Sequence, residues 1–230
     1  MAKTVFDGFS RELPKFLGAL AKNNKREWFE AHREDYQTCF VEPAKDFVAA
    51  IGPALGRMAK GTLAEPRVNG SIWRINRDTR FSKDKTPYKS HLSLVFPHGP
   101  TFDRKRPAFY FRMNSTRLFL GAGAWGFEPP VLNRYRKAVA DPKKSAALVS
   151  AIAKVEKAGP WSLNTPHYKQ VPRGFDKDMA TAWLLKYKGL HIGGDLALPK
   201  ELFTPDAVDF VVDQYRGLKP VQAWLVKELT

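Results

Sequence analysis

The residues best suited to chemistry lie in one stretch, Arg74-Ile-Asn-Arg-Asp-Thr-Arg-Phe-Ser-Lys-Asp-Lys-Thr-Pro-Tyr-Lys89. Basic side chains recur through it at Arg74, Arg77, Arg80, Lys83, Lys85 and Lys89, with Asp78 and Asp84 set between them. Such a segment is equipped to recognise anions. Arginine presents a planar fork of donors that matches a phosphate or a carboxylate, and lysine adds a point charge. The six basic residues are therefore the candidate ligand-binding set, and Asp78 and Asp84 are candidates for orienting those cations from behind. Any proton transfer would fall to Asp78, Tyr88 or His91, while Phe81 and Tyr88 offer rings for stacking. The same residues admit a purely architectural reading, in which Asp78 and Asp84 pair with neighbouring cations and pin a long loop to the fold.

Other constellations are poorer. Gly121-Ala-Gly-Ala-Trp-Gly126 spells a dinucleotide fingerprint, but Glu128-Pro129-Pro130 places the next helix after the third glycine, where the fingerprint needs it earlier. The bland reading is a tight strand-to-helix turn. His32, His91, His98, His167 and His191 are scattered without metal-ligand spacing, and Cys39 stands alone in the chain, so neither a zinc site nor an internal disulfide is expected. Asp78 and Asp84 are surrounded by cations, which lower a carboxylate's pKa, the wrong direction for a general acid. No cofactor signature is evident.

The composition sets the frame. The 230 residues carry 38 Lys and Arg against 23 Asp and Glu, a net charge of +15. Residues 60–120 hold thirteen of those cations and only four acids, so +9 of the charge falls in about a quarter of the chain. Hydrophobic residues make up 43%, enough for a sizeable core, which excludes a disordered tail or a disulfide-stapled miniprotein. With no signal peptide, no membrane-span-like run and one cysteine, a cytoplasmic setting is expected. Three partner classes follow from the charge: an anionic small molecule at 74–89, a nucleic acid along 60–120 with Phe102, Tyr110 and Phe111 as stacking rings, or a protein partner of a non-catalytic scaffold. Oligomeric state is left open.

The loop must be held by its neighbours. Leu13, Phe16, Leu17 and Leu20 share one helical face; Asn24 and Glu27 resemble a capping box for a helix carrying Trp28, Phe29, Tyr36 and Phe40. Phe47, Val48, Ile51 and Leu55 continue the helical pattern, with a kink or stop expected at Gly52-Pro53. Strands are expected at 72–75, 90–96, 108–113 and 117–123, the last two forming a hairpin over Asn114-Ser115-Thr116. Helices follow after Pro129-Pro130, after Asp141-Pro142 and around 179–187, and Gly193-Gly194-Asp195 reads as a turn. A final helix from Thr204-Pro205-Asp206 is expected to break at Gly217 and Pro220 before a last helical segment. Trp125 and Trp161 fall in expected loops within reach of a ligand, and Trp73, Trp183 and Trp224 in expected core positions. The whole reads as one α+β domain over 1–230, a mainly antiparallel sheet flanked by N-terminal and C-terminal helices.

The stretch 74–89 resembles the signature of an uncharacterised family of conserved hypothetical proteins, domain of unknown function 2461. Leu20-Ala-Lys-Asn-Asn-Lys-Arg-Glu-Trp-Phe29, Gly121-Ala-Gly, Pro172-Arg-Gly-Phe-Asp-Lys-Asp178, Leu184-Leu-Lys-Tyr-Lys-Gly189 and Pro220-Val-Gln-Ala-Trp-Leu225 resemble it too. Met179-Ala180 stands where the family is associated with a His-Pro pair. The resemblance implies one family domain over nearly the whole chain and brings no reaction, substrate or cofactor with it.

Overall fold

Alternation at period two decides which side of each strand is buried. Leu92, Leu94 and Phe96 in β1 (Leu92–Pro97), Phe109, Phe111 and Met113 in β2 (Ala108–Met113), and Leu118, Leu120 and Ala122 in β3 (Arg117–Gly123) all point into one continuous core. The structure is a computed structural model describing residues 6–230. The three strands form antiparallel pairs, and the β2–β3 hairpin turns where expected, with the Asn114 side chain accepting from the backbone of Thr116 at 2.9 Å and of Arg117 at 2.8 Å.

Where a turn was expected at Gly193-Gly194, the chain forms a further strand, β5 (His191–Ala197), paired with β3. The glycines serve close approach. A Cβ on Gly193 would lie 2.5 Å from the Leu120 carbonyl oxygen and 2.9 Å from the Phe119 ring. Two residues, Ser162–Leu163 (β4), complete an antiparallel sheet ordered β1-β2-β3-β5-β4. The segment expected as a strand at 72–75 is no strand: only Ile72 bridges, to Leu94 of β1 and to Val68. The Trp73 amide donates to Ser93 at 3.0 Å, and that of Val95 to Ser71 at 2.9 Å.

Helices cover the core side of the sheet. The face of α1 (Glu12–Lys22) buries Leu13, Phe16, Leu17 and Leu20, as its period dictates. The short α2 (Arg26–Ala31) and α3 (Arg33–Asp35) lead through a π-helical turn, Tyr36–Val41, into α4 (Glu42–Met58). After β3 come α5 (Pro129–Ala140) and α6 (Pro142–Ala158), the latter capped by Asp141, which accepts from the amides of Lys143 and Lys144. The helix expected around 179–187 is only a 3-10 turn, Ala182–Lys186. The longest element, α7 (Ala207–Leu229), packs along β3 and against α6 and α4.

Two expected breaks do not occur. Helix α4 runs through Gly52-Pro53, and α7 runs through Gly217 and Pro220. A proline leaves the carbonyl four residues earlier without its donor. Those residues are the half-buried Ala49 and the exposed Arg216, so water reaches the freed groups. The buried stripe Val211, Tyr215, Leu218, Val221 and Leu225 keeps α7 helical through Gly217 and Pro220. The tryptophans also depart from expectation: Trp161 is buried, whereas Trp73 and Trp183 are each 37% exposed. Trp224 lies in the core and Trp125 on the surface, as anticipated. Among the described residues, no helix is long and apolar enough to cross a membrane.

Candidate functional site

Residues directly opposed across antiparallel strands share a face, so register alone builds the side of the sheet away from the core. Ser93 opposes Arg112, Arg112 opposes Phe119, and Phe119 opposes Asp195. Trp73, bonded to Ser93 beyond the edge of β1, extends the same row. One row, Trp73–Ser93–Arg112–Phe119–Asp195, therefore crosses the sheet. The next row, Val95–Tyr110–Gly121–Gly193, is buried beneath the first, beneath Phe102 and beneath Trp125. Gly121 and Gly193 leave room for the Phe119 ring to lie flat, since a Cβ on either would come within 3.0 Å of it.

A cavity of about 190 Å³ opens on this face between Trp73, Lys89, His91, Arg112, Phe119 and Trp125. Its cations lie against rings. The guanidinium of Arg104 is 4.4 Å and the ammonium of Lys89 5.5 Å from the Trp73 ring centre, and Arg112 is 5.0 Å from that of Phe119. Trp125 rests on His191 with ring centres 3.8 Å apart.

The charged loop enters this site by its two ends. The Arg77 amide donates to the Pro87 carbonyl at 2.8 Å, and the Lys89 amide to the Ile75 carbonyl at 2.8 Å, closing the loop as a narrow ladder. At its base the Asn24 side chain donates to the Tyr88 carbonyl at 2.9 Å and accepts from the Tyr88 amide at 3.0 Å. Asn24 is thus no capping residue; Lys25 precedes α2 and makes no side-chain cap. Tyr88, a candidate for proton transfer, is buried and stacked on Phe29 at 4.1 Å.

Farther out the loop's charges satisfy one another. Arg77 binds Asp84 and Thr86, and Arg80 binds Asp78 through two bonds at 3.0 and 2.7 Å. The bonds from Arg80 hold Asp78 at a pKa of about 2; at Asp84 the Thr86 amide and then Arg77 do the same. Lys85 donates to the Thr79 carbonyl at 2.9 Å, Lys83 is exposed without an ion pair, and Phe81 is 94% exposed at the tip with Arg80 beside it.

The inner cations meet backbone carbonyls: Lys89 donates to that of Arg74 at 2.6 Å and Arg104 to that of Gly70 at 3.2 Å. Among the described residues, Arg74, Lys89, Arg104 and Arg112 form no ion pair, while nearby Arg67, Lys105 and Arg106 face Glu65, Glu128 and Asp103. Burial, then Arg74 and Arg104, depress the Lys89 pKa; burial, then Arg67, depress that of Arg104. His91 is pushed down to about 4 by burial and by Arg112, Lys89 and Arg77, so it is a neutral ring at physiological pH. Of the sequence candidates, Lys89 and His91 thus line the cavity, Arg74 lies exposed outside it, and Arg77, Arg80, Asp78 and Asp84 form the outer network. Trp73, Arg104, Arg112, Phe119 and Asp195 join the site without having been singled out for it. A charged residue inside an apolar strand, Phe109-Tyr-Phe-Arg112-Met, was the available signal, since Arg112 has to leave the core on the side of Tyr110. Among the described residues, no group of three His, Cys, Asp or Glu side chains is arranged to hold a metal ion.

The architecture is an α+β domain with helices on one side of an antiparallel sheet and a cationic, aromatic cavity on the other. Residues 12–224 match the model of the family described as conserved hypothetical protein, DUF2461, and the chain belongs to that family. No curated protein matches it in a sequence search.

Proposed function

We propose that the protein binds a phosphorylated or carboxylated small molecule on the side of the sheet facing away from the core. The observation that carries this reading is that Lys89 and Arg112 line the cavity without a carboxylate partner among the described residues, whereas Arg77 and Arg80 of the loop have Asp84 and Asp78. Cations held together against their own repulsion are stabilised by a bound anion, and the partly buried setting strengthens the attraction relative to bulk water. Lys89 and Arg112 supply the charge, and neutral His91 supplies a hydrogen bond from the cavity wall. Arg77 and Arg80, neutralised by Asp84 and Asp78, keep the loop in shape around it.

Inorganic phosphate titrated at low salt by calorimetry tests the reading. Binding should be saturable at one site and fall at least tenfold in Lys89→Ala and in Arg112→Ala, with circular dichroism unchanged. Equal weakening by Lys83→Ala, out on the loop surface, would reduce the effect to general charge. Tight, salt-resistant binding of single-stranded oligonucleotides would favour a nucleic-acid surface instead.

A further inference from the structure

Lys89 and Arg104 lie on Trp73 at one end of the row, Arg112 lies on Phe119 farther along it, and Trp125 stands beside Phe119. From Ser93, beside Trp73 and Lys89, to Phe119 is two strand spacings, about 10 Å. Trp125 is 49% exposed, seated on His191 and set at 6.2 Å from Phe119 and 5.6 Å from Tyr110. The floor under these rings is flattened by Gly121 and Gly193. A simple anion needs none of this aromatic surface. The cavity of about 190 Å³ is smaller than the ~300–1,000 Å³ that encloses a whole ligand. It suits one head group, with the rest of the molecule lying across the open row.

The far end of the row carries Asp195, an exposed carboxylate on a face otherwise populated by cations, with no ion pair among the described residues. A carboxylate only accepts hydrogen bonds, so it selects a hydroxyl or an amino group. A phosphate held by cations, a flat ring beside it and hydrogen-bond donors on that ring describe one chemical class. Resting on the anion-binding reading above, we infer that the ligand is a nucleoside monophosphate, its phosphate between Lys89 and Arg112 and its base against Trp125 and Phe119. Asp195 takes the donor groups of the base or the sugar.

Calorimetry at physiological salt with adenosine monophosphate, ribose 5-phosphate and adenosine tests this on the full chain. The monophosphate should bind at least tenfold tighter than ribose 5-phosphate, the usual yield of stacking one base on an aromatic side chain. Trp125→Leu should remove that difference while leaving ribose 5-phosphate binding unchanged, and Lys89→Ala should weaken both phosphates. Ribose 5-phosphate binding as well as the monophosphate would overturn the nucleotide inference and leave the anion reading standing. Binding of neither phosphate would overturn both. Adenosine binding as tightly as its monophosphate would overturn the placement of phosphate on Lys89 and Arg112. Denaturation curves for each variant establish that it is folded.

Discussion

Replacing Asn24 with alanine removes the contact that fastens α2 to the base of the charged loop. Two hydrogen bonds, at 2.9 and 3.0 Å, join its amide to both backbone groups of Tyr88, sixty-four residues away in the chain. Tyr88 is 6% exposed, so water replaces these partners poorly. At roughly 0.5–1.5 kcal/mol net for each bond, the substitution should cost about 2 kcal/mol. For a domain of this size that lowers the melting temperature by about 4–8 °C. Urea unfolding followed by tryptophan fluorescence and circular dichroism measures it. Asn23→Ala is the control, because Asn23 makes one exposed bond, to the Ala19 carbonyl at 3.0 Å, and its loss should change stability by less than about 0.5 kcal/mol. If Asn24→Ala and Asn23→Ala unfold at the same urea concentration, the clamp does not hold the loop and the reasoning fails.

Gly193→Ala should destabilise by about 1–3 kcal/mol, because its Cβ meets the Leu120 carbonyl oxygen at 2.5 Å; an unchanged urea midpoint would refute the close-approach argument. Tyr215→Phe should raise stability by about 1 kcal/mol, since the Tyr215 hydroxyl is fully buried without a partner; a lower midpoint would contradict this. Acid should destabilise in two intervals. His91 and His191 sit at about 4 when folded against 6.5, so the unfolded chain takes their protons first and stability is lost from pH 6.5 down to 4. Asp78 and Asp84, at about 2 against 3.8, extend the loss from pH 4 down to 2. Asp84→Asn should flatten the lower interval only, and a urea midpoint that rises between pH 7 and pH 4.5 would contradict the histidine assignment.

Patterns that repeat within one element were legible from the chain. The helical face at Leu13, Phe16, Leu17 and Leu20, the Asn114 hairpin and the Asp141 cap all follow from local spacing. Contacts made at a distance were not. Asn24 has the right type and position for a cap, and its true partner is revealed only by the fold. Gly193 and Gly194 carry turn-forming residues into a strand because the facing surface, Gly121 with the Phe119 ring, demands minimal bulk. Gly217 and Pro220 are locally helix-breaking, but a stripe of buried side chains on both sides outweighs them. The loop 74–89 was recognisable as a segment of closely interleaved charges. Which of its cations are neutralised depends on how it folds back, and composition cannot separate Arg77, facing Asp84, from Lys89, facing Trp73.

The row across the sheet draws each member from a different segment: Trp73, Ser93, Arg112, Phe119 and Asp195. Their immediate sequence neighbours, Ile72, Leu94, Phe111, Leu120 and Leu196, belong to or pack on the core. Strand alternation thus keeps two inventories in one stretch of chain, one that fills the core and one that forms the opposite face. Ser93, Arg112 and Asp195 can change without opening the main core behind them, whereas Phe119 also covers Val95 and Tyr110. The chemistry of the outer face can therefore be altered at these positions over an unchanged core.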